Sequence, residues 1–108
     1  MEKIQFKPLQ SGTFCPFNRN YWEDLERKFN CQKLDLYHCI PNQDNNPYEV
    51  CVQPQWTERN YCPIFNKMAA GYIDHTSSDP QYGACPDTKY RSNMVYLYPG
   101  CLNKTLKR

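Results

Sequence analysis

Seven cysteines, Cys15, Cys31, Cys39, Cys51, Cys62, Cys85 and Cys101, constrain what this chain of 108 residues can fold into more than any other feature. The rest of the sequence explains why. Nine prolines and many Asn, Gln and Asp make it rich in turns, and the larger aliphatics are sparse, with seven leucines, four isoleucines and three valines. Nine tyrosines, five phenylalanines and two tryptophans must supply much of the buried surface instead. A chain this short and polar cannot offset its conformational entropy by apolar burial alone. Disulfides, each contributing about 2–4 kcal/mol mainly by restricting the unfolded ensemble, fill that deficit.

Paired cysteines imply an oxidising compartment, so the chain is expected to be secreted. Zinc is the competing use, but zinc sites carry close cysteine pairs completed by histidines. Here the nearest two, Cys31 and Cys39, have seven residues between them, and His38 and His75 are the only histidines. An odd count leaves one thiol unpaired, bonded to another chain, or without its partner. The spacing selects no connectivity. A net charge of +2, with Lys and Arg scattered among acids, argues against a phosphate-tracking surface, so no nucleic-acid partner is expected. No apolar run approaches the length of a membrane span, and Met1–Gln10 lacks the apolar segment of a signal peptide, so a secreted protein would be met here in its mature form.

Read in order, residues 1–14 form a flexible arm in which Ile4 and Phe6 suit a short edge strand. Residues 15–63 form a disulfide-stapled β-lobe. Within it Asn20–Phe29 is the one short helix, with Trp22, Leu25 and Phe29 on one face, Asn20 as N-cap, Glu23 completing a capping box and Asn30 at C′. The acids Glu23, Asp24 and Glu26 then lie early and Arg27 and Lys28 late, as the helix dipole favours. Lys33–Ile40 alternates, with Leu34, Leu36, His38 and Ile40 facing one way; Tyr48–Gln53 alternates too, and PNQDNNP joins the two as a proline-bounded hairpin loop. Residues 64–101 read as a loop-dominated second lobe, with one turn of helix at Lys67–Ala70 and a last strand over Lys89–Tyr98. Residues 102–108 are a basic tail, in which Asn103-Lys104-Thr105 is a glycosylation sequon. The fold class expected is therefore small, disulfide-rich and mainly β.

Chemistry is sparse. No nucleophile elbow, glycine-rich phosphate loop or His-Glu-x-x-His is present, and Asp74 and His75, being adjacent, point opposite ways in an extended chain. Asp44, Asp74 and Asp79 fit no calcium loop. We expect no enzyme, no metal and no cofactor. His38 reads as a structural histidine. The segment Pro54–Pro63, lying between Cys51 and Cys62, instead has the composition of an interface hot spot, Trp56 beside Glu58, Arg59 and Tyr61. We take Trp56 and Arg59 as anchors, with Glu58 beside them and Asp44, Asn45 and Tyr48 on the neighbouring hairpin loop. Trp56 could equally fill the core.

The series Tyr37-x-Cys39, Glu49-x-Cys51, Trp56, Tyr61-Cys62-Pro63 with Asn66, Asp74, Cys85-Pro86, Tyr90-x-Ser92 and Tyr96-x-Tyr98-Pro99-x-Cys101 resembles small cysteine-rich tick salivary proteins. It is most similar to the CirpT family of complement inhibitors, over about residues 31–101. The resemblance implies a secreted monomer with an N-terminal lobe like a von Willebrand factor type C domain and a flatter C-terminal lobe. Such proteins bind a macroglobulin-like domain of complement component five, a host plasma protein, and block its engagement by the convertase. The alternative is a serine-protease inhibitor presenting Arg59 or Lys67 from a disulfide-held loop. A third class, capture of a small amine, needs a deep aromatic pocket with a buried acid.

Overall fold

A computed structural model describes residues 4–10, 12–32 and 35–102. It shows a small, mainly β protein with two short helices and three disulfides. Strands β1 (Phe6–Pro8), β2 (Leu36–Pro41) and β3 (Pro47–Val52) form an antiparallel sheet in the order β1-β3-β2. The edge strand expected in the arm is thus present, pairing Phe6 with Val50 and Pro8 with Tyr48. Helix α1 (Arg19–Phe29) packs on β2. Strands β4 (Trp56–Thr57) and β5 (Tyr61–Phe65) follow, then β6 (Ile73–Ser77), β7 (Tyr90–Arg91) and a single turn, α2 (Pro99–Leu102). β4 pairs with β7 and β5 with β6, both antiparallel.

The helix is capped two residues earlier than expected. Asn18, not Asn20, is the N-cap, and its side chain accepts from the amides of Asn20 (2.9 Å) and Tyr21 (3.3 Å). The shift leaves no acid in the first turn. Glu23 therefore builds no capping box; it pairs with Arg19 at 3.1 Å, while Asp24 takes Arg27 at 2.9 Å and Lys28 at 3.5 Å. Asn30 does sit in the left-handed C′ conformation, with φ 55°.

The alternation read in the second strand is also corrected. Lys33 and Leu34 lie outside the described residues. From Tyr37 to Ile40 every side chain is buried, and Leu36 is exposed. The reason is that α1 covers one side of β2 while β5 and the segment Ser92–Leu97 cover the rest, so neither face meets water. Aromatics fill the core as the composition requires. The Trp22 ring meets Tyr37 at 5.3 Å and Tyr96 at 5.1 Å, and Phe65 lies 5.2 Å from Tyr48.

The disulfides are Cys15–Cys39, Cys31–Cys51 and Cys62–Cys101, and Cys85 is the unpaired thiol. The segment between Cys51 and Cys62 is therefore pinned at its ends by two different partners rather than closed on itself. Residues 64–84 carry more regular structure than their turn-rich composition suggests, because β6 forms a five-residue ladder with β5 that spans Pro63. Conversely, the strand expected over Lys89–Tyr98 stops after Arg91, and Ser92–Leu97 winds into a 3₁₀ helix. At the last rung Ser92 donates its amide to the Gln55 carbonyl (2.8 Å), but the Gln55 amide goes to the Ser92 hydroxyl oxygen (2.8 Å) instead of the Ser92 carbonyl, so the ladder closes on a side chain. The chain turns there. A one-turn helix then follows at Pro99, where Gly100 approaches the Ala84 carbonyl so closely that a β-carbon would lie 2.8 Å from its oxygen.

Candidate interaction surface

The ribbon of β4 and β7 has an inner and an outer face. Thr57 and Tyr90 face each other inward and are buried. Trp56 and Arg91, the adjoining pair, face outward, and Trp56 is 56% exposed. That decides the open question about Trp56: it is not a core residue. Two cations lie over its indole, Lys89 Nζ at 5.4 Å and Arg91 Cζ at 5.2 Å from the ring centroid. Glu58, next on the outer face, comes within 4.0 Å of Lys89. Trp56, Glu58, Tyr61 and His75 enclose a shallow hollow of about 210 Å³.

The backbone beneath this face is tightly held. Glu58 O accepts from Tyr61 N at 3.1 Å, closing a turn with Arg59 and Asn60 at its tip. Asn60 adopts φ 66°, donates its amide to Pro86 O at 2.8 Å, and accepts from Ser78 N at 2.8 Å. Tyr90 donates its hydroxyl to Tyr61 O at 2.8 Å, and burial raises its pKa. The outer face is thus presented by a preorganised frame, with the Cys62–Cys101 disulfide behind it.

The other predicted residues form a separate surface. At the β2–β3 hairpin tip, Asn42 Oδ1 accepts from Asp44 N and Asn46 N, both at 2.9 Å, so an Asx turn sets the loop. Asp44 and Asn45 are exposed, and Asn45 has φ 64°. Tyr48 is half-buried against Phe65 and shares with Asn42, Gln43, Asp44, Asn66 and Lys67 a hollow of about 260 Å³. That hollow meets the end of β5 at Phe65, whereas the Trp56 hollow meets its start at Tyr61. The four steps of strand between them span roughly 13 Å. The structure therefore brings Trp56 and Glu58 together and holds Asp44, Asn45 and Tyr48 apart from them. Asn103 and the basic tail lie outside the described residues.

Two residues of the Trp56 face, Lys89 and Arg91, were missed by the sequence reading. Their signal was present: Lys89-Tyr90-Arg91 alternates charge, aromatic, charge, so burying Tyr90 turns both cations outward.

The nearest approach to a nucleophile–base pair is elsewhere. His38 Nε2 lies 2.8 Å from Ser92 Oγ, and His38 Nδ1 lies 3.0 Å from Leu36 O. The Leu36 carbonyl can only accept, so Nδ1 carries the proton and Nε2 accepts from the Ser92 hydroxyl. Ser92 Oγ in turn accepts from Gln55 N at 2.8 Å. Both side chains are wholly buried, and burial lowers the His38 pKa to about 4. The pair acts as a neutral strut tying β2 to the C-terminal half. Tyr37, similarly buried, donates to Glu49 at 2.6 Å, with Lys7 4.0 Å from the same carboxylate; burial and that bond both raise the tyrosine pKa. Among the described residues no group of three or more His, Cys, Asp or Glu is placed to hold a metal ion, and no helix is long and apolar enough to cross a membrane.

No family model matches the chain, and no curated protein or solved structure matches it.

Proposed function

We propose that this is a secreted, disulfide-stapled binding module that occupies a host plasma protein and blocks it sterically, with complement component five as the target. One observation carries the binding reading. A tryptophan in a protein short of apolar residues is left 56% exposed, flanked by two cations, on a frame fixed by hydrogen bonds and a disulfide. Large aromatics exposed on a rigid surface are the usual anchors of protein interfaces. Preorganisation lowers the ordering entropy lost on binding. The target comes from the resemblance to tick salivary complement inhibitors, and the β2–β3 hairpin stapled by Cys31–Cys51 lies within the residues that carry it.

The protease-inhibitor alternative meets an obstacle in the backbone. A protease takes its substrate segment extended, but Arg59 and Lys67 each occupy the second position of a hydrogen-bonded turn, Glu58–Tyr61 and Asn66–Ala69. Capture of a small amine fares no better. The one buried acid among the described residues, Glu49, is engaged by Tyr37, and the Trp56 hollow is smaller than the roughly 300 Å³ at which small-molecule sites begin. The larger hollow of about 560 Å³ beside α1, lined by Phe14, Phe17, Tyr21 and Leu25, is open, and its acid Asp24 is already paired with Arg27 and Lys28.

The test is haemolysis of sensitised erythrocytes in serum. The folded protein at micromolar concentration should suppress terminal-pathway lysis. Undiminished lysis, with the three disulfides verified by mass spectrometry, contradicts the complement reading.

A further inference from the structure

We infer that the β4–β7 face recognises an acidic segment of its partner, one carrying a single apolar side chain between carboxylates. The inference rests on the reading of this face as the binding surface, and it specifies the chemistry of what binds there.

The argument is one of charge and size. On the outer face the ionised groups are Lys89, Arg91 and Glu58, and Arg59 stands exposed at the adjoining turn. Three cations against one carboxylate leave the face positive. Glu58 neutralises only Lys89, and at 4.0 Å it does so loosely. Arg91 has the π face of Trp56 for company, which leaves its guanidinium donors free for a bidentate carboxylate. The hollow beside it, walled by Trp56, Tyr61, His75 and Glu58, holds about 210 Å³, room for one side chain. His75 is oriented by Thr57, with Nε2 3.3 Å from its hydroxyl oxygen. An apolar residue seated in the hollow would be flanked by positions within reach of Lys89 and Arg91, where carboxylates are favoured. Basic or purely apolar segments would leave those cations desolvated and unpaired.

The probes are a random copolymer of glutamate and tyrosine, polyglutamate, and a copolymer of lysine and tyrosine. Binding is read from tryptophan emission excited beyond tyrosine absorption. Trp22 is 3% exposed, so the response belongs to Trp56. The glutamate–tyrosine copolymer should shift the emission, polyglutamate should do so more weakly, and the lysine copolymer should not. Raising salt from tens to hundreds of millimolar should weaken binding about tenfold, as should K89Q/R91Q, because both remove the attraction. R19Q/K28Q makes the same change in net charge on α1 and should leave affinity within about twofold. An unresponsive Trp56, or equal weakening by both double variants, overturns the inference. Purified complement component five separates this inference from the target reading. If it fails to bind while the copolymer pattern holds, the target is wrong and the chemistry of the face stands. Should it bind wild type and K89Q/R91Q equally, the target stands and this inference falls.

Discussion

The half of the molecule built on β1, β3 and β2 and the half carrying β4 to β7 spend a small stock of apolar residues in different ways. In the first, a six-residue ladder between β2 and β3 and two disulfides hold a strand whose Tyr37, His38, Cys39 and Ile40 are all buried, under α1 on one side and against β5 and Ser92–Leu97 on the other. Trp22, its tryptophan, is buried. In the second, β4 and β7 share only two pairs, one disulfide reaches across, one cysteine is unpaired, and the tryptophan faces solvent. The first half is a scaffold. The second holds its shape by turns and loop-to-loop hydrogen bonds and displays what the first would bury. The His38–Ser92–Gln55 strut joins them.

The largest expected effect breaks that contrast at its weakest point. The Cys62–Cys101 disulfide closes the longest loop, with a sequence separation of 39 against 24 and 20 for the others. Replacing both cysteines by serine should cost about 4 kcal/mol on the loop-entropy account. Amide exchange should accelerate through β4–β7 and leave the β2–β3 ladder protected. Uniform acceleration would show that the two halves fold as one unit. Next in size is Ser92→Ala, which strips His38 Nε2 and Gln55 N of their buried partner and should destabilise by about 2–3 kcal/mol in urea titrations.

The pH dependence of stability probes the same strut. His38 is held neutral in the native state, with its pKa lowered from the ordinary 6.5 to about 4. As pH falls below about 6.5 the unfolded chain takes up a proton that the native chain refuses, so stability declines until about pH 4 and is insensitive to His38 above pH 7. Going from pH 7 to pH 5 should lose roughly 2 kcal/mol, and His38→Gln should flatten that slope. The smallest stability effect belongs to Trp56→Ala. An exposed indole contributes little to the fold, and the midpoint of unfolding should move by about 0.5 kcal/mol or less.

The scaffold was the more legible half. The edge strand at Phe6, the hairpin around PNQDNNP and the αL residue Asn30 all follow from local turn chemistry and alternation, which act over a few residues. The helix start was displaced because Asn18 and Asn20 are both competent cap residues, and it is Asn18 whose side chain takes the free amides, those of Asn20 and Tyr21. The C-terminal half was harder to read for a physical reason. Its strands are defined by partners distant in sequence, Trp56 with Arg91 and Tyr61 with Ser77, and no local period announces them. Alternation in Lys89–Tyr98 suggested a strand, but it ends at Ser92, whose hydroxyl takes the Gln55 amide that its carbonyl would need. The candidate site was half legible: Trp56 and Glu58 were named, while Lys89 and Arg91 reach the indole only through the β4–β7 pairing. Asp44 and Tyr48, near in sequence, belong to the far end of β5.

The affinity of Trp56→Ala for purified complement component five, measured beside wild type with both folds verified, tests the central claim most directly. If the exposed indole anchors the interface, its removal should cost about 2 kcal/mol or more, an affinity loss of roughly thirtyfold, with thermal unfolding unchanged. Equal binding by the two proteins would contradict the claim that this face is where the molecule works.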